Sequence, residues 1–127
     1  MTSEIKKDLR YTKTHEWLKV KGKNAVVGIT DHAQKALTDI VFVELPAIGK
    51  TVKKGEELCV VESVKSVSEI YAPVSGKVVS VNKELEDSPE TINTSPYDDG
   101  WLVELEMNTS AEVTSLMDSE AYKKIAD

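Results

Sequence analysis

The sequence predicts a mainly β fold, a β-sandwich or flattened barrel with a short helix after the first hairpin and further helices at the C-terminal end. Short runs of β-branched and aromatic residues recur along the chain, and Gly and Pro separate them at short intervals. The 127 residues are the usual size of one domain, and 40% of them are hydrophobic. We therefore expect residues 1–127 to form a single domain with one core.

The first elements should be strands. Residues 1–8 are polar, so we expect them to be frayed. Residues 9–11 can form a short edge strand. Residues 17–20 and 25–29 are apolar runs on either side of a turn that contains Gly22, which indicates a hairpin.

A short helix should follow this hairpin, with Thr30 or Asp31 as its cap. Its apolar residues recur at helical spacing on one face: Ala33, Ala36, Leu37 and Ile40. Residues 41–45 then read VFVEL, an apolar and β-branched run that Pro46 ends, so a strand is predicted there.

The middle of the chain should contribute several short strands, at residues 51–52, 58–63, 67–71 and 77–81. Residues 82–97 are polar and contain two prolines. They predict a surface loop with a helical turn near residues 89–92, folded over the sheets because Ile92 and Tyr97 need burial.

The last strand and the C-terminal helices complete the prediction. Residues 101–106 alternate between apolar and acidic side chains and should close the sheet. Ser110 can cap a helix that runs to about Met117, and Asp118 or Ser119 can cap another that runs through Ile125.

Composition excludes several classes of function. The formal net charge of −6 argues against nucleic-acid binding, which requires clustered Lys and Arg. No apolar run approaches the ~20 residues that cross a bilayer, and the first residues lack a signal-peptide core, so we expect a cytoplasmic protein without membrane contact. We also expect a monomer. Cys59, the single cysteine, lies in the apolar run LCVV and is expected to be buried rather than reactive.

One lysine stands out, because Lys65 lies at the turn between two predicted strands, in the segment ESVKSVSE. Two-residue hairpin loops favour Asn-Gly or Asp-Gly, and Lys65 with Ser66 supplies neither. The surrounding frame is distinctive: the segment APVSG follows the second strand, and LPAIGKTVKKGEEL precedes the first. A lysine suits covalent attachment, because its deprotonated amine can form a stable amide with an activated acyl group.

This frame resembles the lipoyl and biotinyl carrier domains, in which a lysine at a hairpin tip carries a cofactor. Four further segments resemble the glycine cleavage H-protein family more narrowly: YTKTHEW, VGITDHAQKALTDIVFVELP, VESVKSVSEIYAPVSGKVVSVN and NTSPYDDGWLVELE. The match covers residues 9–107. The departures are Val64 and Ser66, where biotinyl domains have methionines and the lipoyl domains of 2-oxo acid dehydrogenases have Asp and Ala.

The resemblance implies a barrel-sandwich hybrid of the lipoyl-domain type, with a lipoyl-binding core at residues 24–106 and a helical segment at residues 107–127. It implies a lipoyl carrier without catalytic activity of its own, with lipoate in amide linkage to Lys65. The carrier would move an aminomethyl group from glycine decarboxylase (P protein) to an aminomethyltransferase (T protein), and dihydrolipoyl dehydrogenase (L protein) would reoxidise it. A lipoate ligase or an octanoyl or lipoyl transferase would modify the lysine.

The same resemblance implies roles for four more residues. Glu62 is expected to be recognised by the lipoylating enzyme. Thr14, Glu16 and Glu69 are expected at a cleft for the loaded arm, where a carboxylate would attract the protonated amine of the cargo. Each carboxylate is also compatible with an ordinary surface strand position.

Three other functions remain to be weighed. The protein could be a lipoyl relay that supplies lipoyl groups to other lipoyl proteins. A small hydrolase or isomerase using Glu16, Glu62 or His15 lacks any triad or phosphate loop. A metal site at His15, His32 and Asp31 is disfavoured because the two histidines lack ligand spacing such as HxH.

Overall fold

A computed structural model describes residues 3–126, which form two antiparallel sheets and several short helices. One sheet has six strands: β1 (Arg10–Tyr11), β2 (Glu16–Lys21), β3 (Asn24–Ile29), β5 (Thr51–Val52), β8 (Gly76–Val81) and β9 (Val103–Met107). The other has three strands: β4 (Ile40–Glu44), β6 (Glu57–Ser63) and β7 (Val67–Tyr71). The helices are α1 (Asp31–Leu37), α2 (Glu84–Asp87), α3 (Thr91–Thr94), α4 (Ala111–Thr114) and α5 (Ser119–Ala126).

The two sheets share one apolar core without closing into a hydrogen-bonded barrel. The larger sheet has the order β1-β2-β3-β9-β8-β5 and the smaller one the order β4-β6-β7. Both contribute fully buried side chains to the same cluster, such as Val27 and Leu105 from the first and Val61 from the second. The predicted mainly β sandwich or flattened barrel is therefore confirmed. Over residues 3–126, no helix is long and apolar enough to cross a membrane.

The first hairpin forms as predicted. β2 and β3 pair from Glu16 with Ile29 to Lys21 with Asn24, so the loop contains only Gly22 and Lys23. Gly22 has a φ of 64°, a backbone conformation that two-residue hairpin loops require and that glycine adopts without a steric penalty.

Helix α1 begins as predicted but ends earlier. The Thr30 hydroxyl accepts a hydrogen bond from the Ala33 N–H, so Thr30 is the cap. The expectation that Ile40 belongs to this helix is wrong, because Thr38, with a φ of 65°, ends it and Ile40 begins β4. Ala36, expected on the apolar face, is exposed, and Gln34 is buried instead.

The predicted loop at residues 82–97 folds over the sheets through α2 and α3. Ile92 and Tyr97 are buried, as expected. The Asn93 side chain joins the loop to the end of α1: its Oδ1 accepts from the Ile40 N–H at 2.9 Å, and its Nδ2 donates to the Thr38 carbonyl at 2.8 Å. This side chain therefore fixes the point where the helix gives way to β4.

The C-terminal segment packs against β1, the strand at the edge of the larger sheet, through α5 and Met117. Helix α4 is shorter than predicted, because Met117 forms two backbone hydrogen bonds with Tyr11 instead of continuing the helix. The Asp118 carboxylate accepts from the Ala121 N–H at 2.9 Å and so caps α5. In α5, the Tyr122 ring stacks on that of Tyr11 with centroids 4.4 Å apart.

The N-terminal segment is not frayed over the described residues, contrary to expectation. The Glu4 N–H donates to the Asp31 carboxylate at 2.8 Å, and its carbonyl accepts from the Tyr97 hydroxyl. The Tyr11 hydroxyl donates to the Lys6 carbonyl at 2.7 Å. Polar side chains elsewhere therefore hold a segment that has little apolar content of its own; Met1 and Thr2 lie outside the described residues.

Candidate functional site

The turn that carries Lys65 is a three-residue loop, residues 64–66, between β6 and β7. The Ser63 hydroxyl accepts hydrogen bonds from the backbone N–H groups of Lys65 (3.3 Å) and Ser66 (3.2 Å), and the Ser63 N–H donates to the Ser66 carbonyl at 2.8 Å. None of the three loop residues has a positive φ, so glycine is not required. A serine hydroxyl that bonds backbone two and three residues ahead is a common turn device, and Ser63 is the residue that the sequence interpretation overlooked.

The Lys65 side chain is exposed at this tip. Across residues 3–126 its ammonium group has no hydrogen bond or ion pair. The Val64 N–H donates to the Asp39 carbonyl at 3.0 Å, which joins the turn to the start of β4. The turn is thus held by its backbone, and the amine projects from it without a structural task.

Glu62 lies on the last row in which β6 pairs with both neighbouring strands, opposite Val67 on β7 and Phe42 on β4. Residues that pair directly across strands lie on the same face of a sheet. Val67 and Phe42 are exposed and Glu62 is half-exposed, so this row belongs to the outer face of the three-stranded sheet. Glu62 is therefore accessible on the surface next to the Lys65 turn.

Glu16 is buried, with only 1% of its surface exposed, so the interpretation as a surface carboxylate is wrong for this residue. Its Oε1 accepts hydrogen bonds from the Thr12 and Thr14 hydroxyls, and its Oε2 accepts from the Tyr71 N–H at 3.2 Å. A carboxylate has about four lone-pair sites. Three are occupied, so one acceptor position remains, on Oε2.

Glu16 and Thr14 line a cleft of about 280 Å³. Its walls come from four parts of the chain: residues 11–16, the turn between β5 and β6, the end of β7 with the residues after it, and the segment between α4 and α5. The lining residues are Tyr11, Thr12, Lys13, Thr14, Glu16, Lys54, Gly55, Tyr71, Ala72, Pro73, Ser115, Leu116 and Met117. The cleft is thus an open site with a buried carboxylate in its wall.

Glu69 is exposed and lies two residues before Tyr71 on β7. The Tyr71 hydroxyl donates to the Glu69 carboxylate at 3.0 Å, and this hydrogen bond raises the pKa of the tyrosine. Tyr71 lines the cleft and Glu69 does not. Glu69 is therefore linked to the cleft through the tyrosine ring.

Strand β7 connects the lysine turn to the cleft. Alternate residues of a strand lie on the same face, so Val67, Glu69 and Tyr71 form a line from the turn to the cleft. With a rise of ~3.3 Å per residue, the four steps from Val67 to Tyr71 span roughly 13 Å. A long flexible arm attached at the turn could lie along this line.

The contacts that hold the segment between α4 and α5 at the cleft were not predicted from the sequence. The Glu112 carboxylate, in α4, accepts from the Ser75 N–H at 2.7 Å and from its hydroxyl at 3.0 Å. The Lys54 ammonium donates to the Ser115 hydroxyl at 2.6 Å. These contacts join residues 37 and 61 positions apart, so no local sequence signal indicates them.

His15, next to Glu16, has a φ of 70°, which turns the chain so that the carboxylate meets both threonine hydroxyls. Its Nδ1 lies 2.7 Å from the Tyr122 hydroxyl, which also lies 2.7 Å from the Thr30 hydroxyl. The rings of His15 and His32 stack with centroids 4.4 Å apart. Burial and, to a smaller degree, the neighbouring His32 lower the pKa of His15.

The metal site considered at the two histidines and Asp31 has no support in the structure. The Asp31 carboxylate accepts hydrogen bonds from the Gln34 amide and the Glu4 N–H and pairs with the Lys35 ammonium at 3.4 Å. No group of three or more His, Cys, Asp or Glu side chains within residues 3–126 is placed to hold a metal ion.

Cys59 is buried, as predicted, with 4% of its surface exposed. Burial and, more weakly, the carboxylates of Glu16 and Glu57 raise the pKa of its thiol. A thiol held in its neutral form inside the core is a poor nucleophile.

Comparison with known proteins gives a consistent result. The sequence model of the family described as "Glycine cleavage H-protein" matches residues 9–127. A glycine cleavage system H protein of Anaeromyxobacter sp. is 54% identical over 124 residues, which is 98% of this chain and 97% of that protein. One from Listeria monocytogenes is 54% identical over 123 residues, 97% of this chain and 98% of that protein. The crystal structure of a glycine cleavage system H protein from Mycobacterium marinum superimposes with a TM-score of 0.87 at 41% identity, over 94% of this chain and 97% of that one.

Proposed function

Because the chain belongs to the glycine cleavage H-protein family, we propose that it is the lipoyl carrier of a glycine cleavage system and that Lys65 bears the lipoyl group. The observation that carries this assignment is the exposed Lys65 amine, at a turn whose shape depends on Ser63 and not on the lysine. An amine without a structural partner can be acylated without loss of any native contact. The protein itself acts as a carrier and not as a catalyst.

The residues present fit a lipoyl group. The Lys65 amine, once deprotonated, attacks the activated carboxyl carbon of the acyl donor, loses a proton and forms an amide as the leaving group departs. When bound, lipoate supplies a dithiolane that accepts the aminomethyl group of glycine and is later left as a dithiol. The exposed strand β7 offers a path of roughly 13 Å from the turn to the cleft.

The partners follow from this role. Glycine decarboxylase (P protein) would load the carrier, the aminomethyltransferase (T protein) would unload it, and dihydrolipoyl dehydrogenase (L protein) would reoxidise it. A lipoate ligase or an octanoyl or lipoyl transferase would modify Lys65, with Glu62 as a recognition residue. Its half-exposed position beside the turn supports this role for Glu62.

We further propose that the cleft holds the charged end of the cargo. The Oε2 atom of Glu16 retains one acceptor position, which a protonated primary amine could fill. Thr14 and Thr12 fix the carboxylate through hydrogen bonds, and Glu69 adds negative charge at the mouth of the cleft through Tyr71. A carboxylate at hydrogen-bonding distance raises the pKa of a bound amine and keeps it protonated, whereas burial alone would lower it.

The domain organisation is proposed on the same basis. Residues 24–106 contain the lysine hairpin and both sheets except β1 and β2, and we propose them as the lipoyl-binding core. Residues 107–127 supply α4, α5 and the segment between them; that segment forms one wall of the cleft, and α5 packs on β1. Residue 127 itself lies outside the described residues.

The test is lipoylation in vitro. Incubation with a purified lipoate ligase, ATP and lipoate should add one lipoyl mass to the intact protein, and peptide mapping should locate it on Lys65. The matched control is Lys65→Arg, which should gain no mass. Modification of Lys53, Lys54 or Lys77 in place of Lys65 would contradict the assignment.

A further inference from the structure

The outer face of the three-stranded sheet carries a regular arrangement of apolar and acidic side chains beside Lys65. One row across the strands is Phe42, Glu62 and Val67, and the next row on the same face is Glu44, Val60 and Glu69. Apolar and acidic residues alternate in both directions. We call these six residues the alternating face.

Two of the three apolar members of this face are unusually exposed. Phe42 and Val67 have 52% and 63% of their surface exposed, and Val64 in the adjoining turn has 65%. The pairing shifts between Ile40 and Phe42, which leaves Val41 as an extra residue in β4, also 51% exposed. A β-bulge of this kind re-aims side chains, and here it adds a further exposed apolar side chain next to the turn.

The charge of the face selects among possible occupants. Its six positions hold three carboxylates and no cation. A second copy of the chain would present the same carboxylates, so self-association through this face would bring like charges together. The complementary surface is one with apolar side chains and interspersed Arg or Lys.

We propose that the alternating face is the docking surface for the enzyme that acylates Lys65, and that this enzyme meets it with apolar and cationic side chains. This docking role rests on the proposed lipoylation of Lys65. Before modification the reactive nitrogen lies only about 6 Å from the backbone of the turn, so the modifying enzyme must approach the turn closely. The enzymes that act later reach the end of a much longer arm and are free of this constraint.

The roles within the face follow from exposure and position. Phe42 and Val67 flank Glu62 in the row nearest the turn, so they supply the apolar contact around the recognition carboxylate. Aromatic side chains at the centre of an interface often dominate its affinity. Glu44 lies in the row farther from the turn. It attracts cationic side chains of the enzyme, and so accelerates association of the two proteins more than it stabilises their complex.

The experiment measures kcat and KM for lipoylation by a purified lipoate ligase with ATP and lipoate, using the intact protein as the acceptor. The apolar variants are Phe42→Thr and Val67→Thr, chosen because threonine preserves strand propensity. Their matched control is Ile48→Thr, which removes an equally exposed apolar side chain (61%) outside the three-stranded sheet. The charge variant is Glu44→Gln, with Glu120→Gln on α5 as its control. Thermal unfolding establishes that each variant is folded.

Both apolar variants should lower kcat/KM at least about tenfold, mainly through KM, while Ile48→Thr stays within twofold of wild type. Glu44→Gln should lower kcat/KM roughly threefold at low salt and reduce its salt dependence, and Glu120→Gln should change neither. If wild type is acylated on Lys65 but Phe42→Thr and Val67→Thr match their control, the docking proposal is overturned. If wild type gains no lipoyl group at all, the proposed function fails instead. Sedimentation of wild type as a dimer that Phe42→Thr dissociates would also overturn the docking proposal.

Discussion

Replacing Glu16 by glutamine removes the buried charge from the cleft and keeps the volume of the side chain. An amide can retain the network around it: its oxygen can accept from the Tyr71 N–H, and its nitrogen can donate to the Thr12 and Thr14 hydroxyls, which rotate to accept. We therefore expect Glu16→Gln to change the free energy of unfolding by less than about 1 kcal/mol. Glu16→Ala leaves these donors without their acceptor and should cost about 1–3 kcal/mol.

The effect on the loaded protein should be larger. A hydrogen bond to a charged group contributes about 1.5–3 kcal/mol, and one between neutral groups about 0.5–1.5 kcal/mol. A bond between an ammonium and a carboxylate is charged on both sides, and glutamine leaves it charged on one side only. We take the loss of retention as about 1.4 kcal/mol, which corresponds to roughly tenfold. The amine also loses the carboxylate that keeps it protonated, so its lone pair becomes available to expel the sulfur that holds it.

The assay loads the lipoylated protein with the aminomethyl group of glycine and follows formaldehyde release after the decarboxylase is removed. Release should be slow from wild type, roughly tenfold faster from Glu16→Gln, and fastest from heat-unfolded protein. Glu57→Gln is the matched control. Glu57 is an exposed carboxylate on β6 that pairs with Tyr71 of β7, and it does not line the cleft. If Glu16→Gln retains its cargo as well as wild type does, the role of Glu16 is wrong.

Three further predictions concern stability. Lys65→Arg should shift the free energy of unfolding by less than ~0.5 kcal/mol in thermal or urea unfolding, because the side chain has no partner among residues 3–126. The same substitution should abolish carrier activity. A large loss of stability would instead show that the lysine has a structural role. Gly28→Ala should destabilise by about 1–3 kcal/mol, since its Cβ would lie 2.5 Å from the buried Trp17 ring, and unchanged unfolding would refute this packing argument. The lowered pKa of His15 means that the unfolded chain binds more protons below pH ~6.5, so stability should rise with pH up to that value and then level off. In His15→Asn this rise should be smaller between pH 5 and 7, and an identical pH profile of urea unfolding would contradict it.

The strands around the lysine could be predicted because their signal is local. Residues 58–63 and 67–71 are rich in β-branched side chains, and strands β6 and β7 occupy almost the same positions. The geometry of the turn could not be predicted from loop preferences for glycine, because the loop has three residues and Ser63 satisfies its N–H groups. The signal that could have indicated it is Ser63 itself, because a serine hydroxyl can accept from backbone N–H groups two and three residues ahead.

The cleft was predictable only in part. Glu16 and Thr14 came from the resemblance of their segment to a known family, but the burial of Glu16 depends on two features that have no sequence signature. One is the positive φ of His15, which histidine adopts only occasionally, and the other is the Tyr71 N–H, 55 residues away. Thr12, which shares Oε1 with Thr14, was missed for the same reason.

The errors in the helices have a similar origin. Periodicity extended α1 to Ile40, but Asn93, more than fifty residues away, bonds the backbone on both sides of Asp39 and so separates the helix from β4. The residues up to Met117 were predicted to be helical, and backbone pairing with Tyr11 prevents this. In both places a long-range hydrogen bond overrides local propensity.

We propose above that Lys65 carries a lipoyl group that accepts the aminomethyl group of glycine. The most direct measurement is the intact mass of the protein isolated from its own cells, before and after incubation with glycine and glycine decarboxylase, with peptide mapping of each sample. We expect one lipoyl increment on the peptide that contains Lys65, and a further aminomethyl increment on the same peptide after incubation. An unmodified Lys65, a lipoyl group on another lysine, or a lipoylated protein that gains no mass from glycine would contradict it.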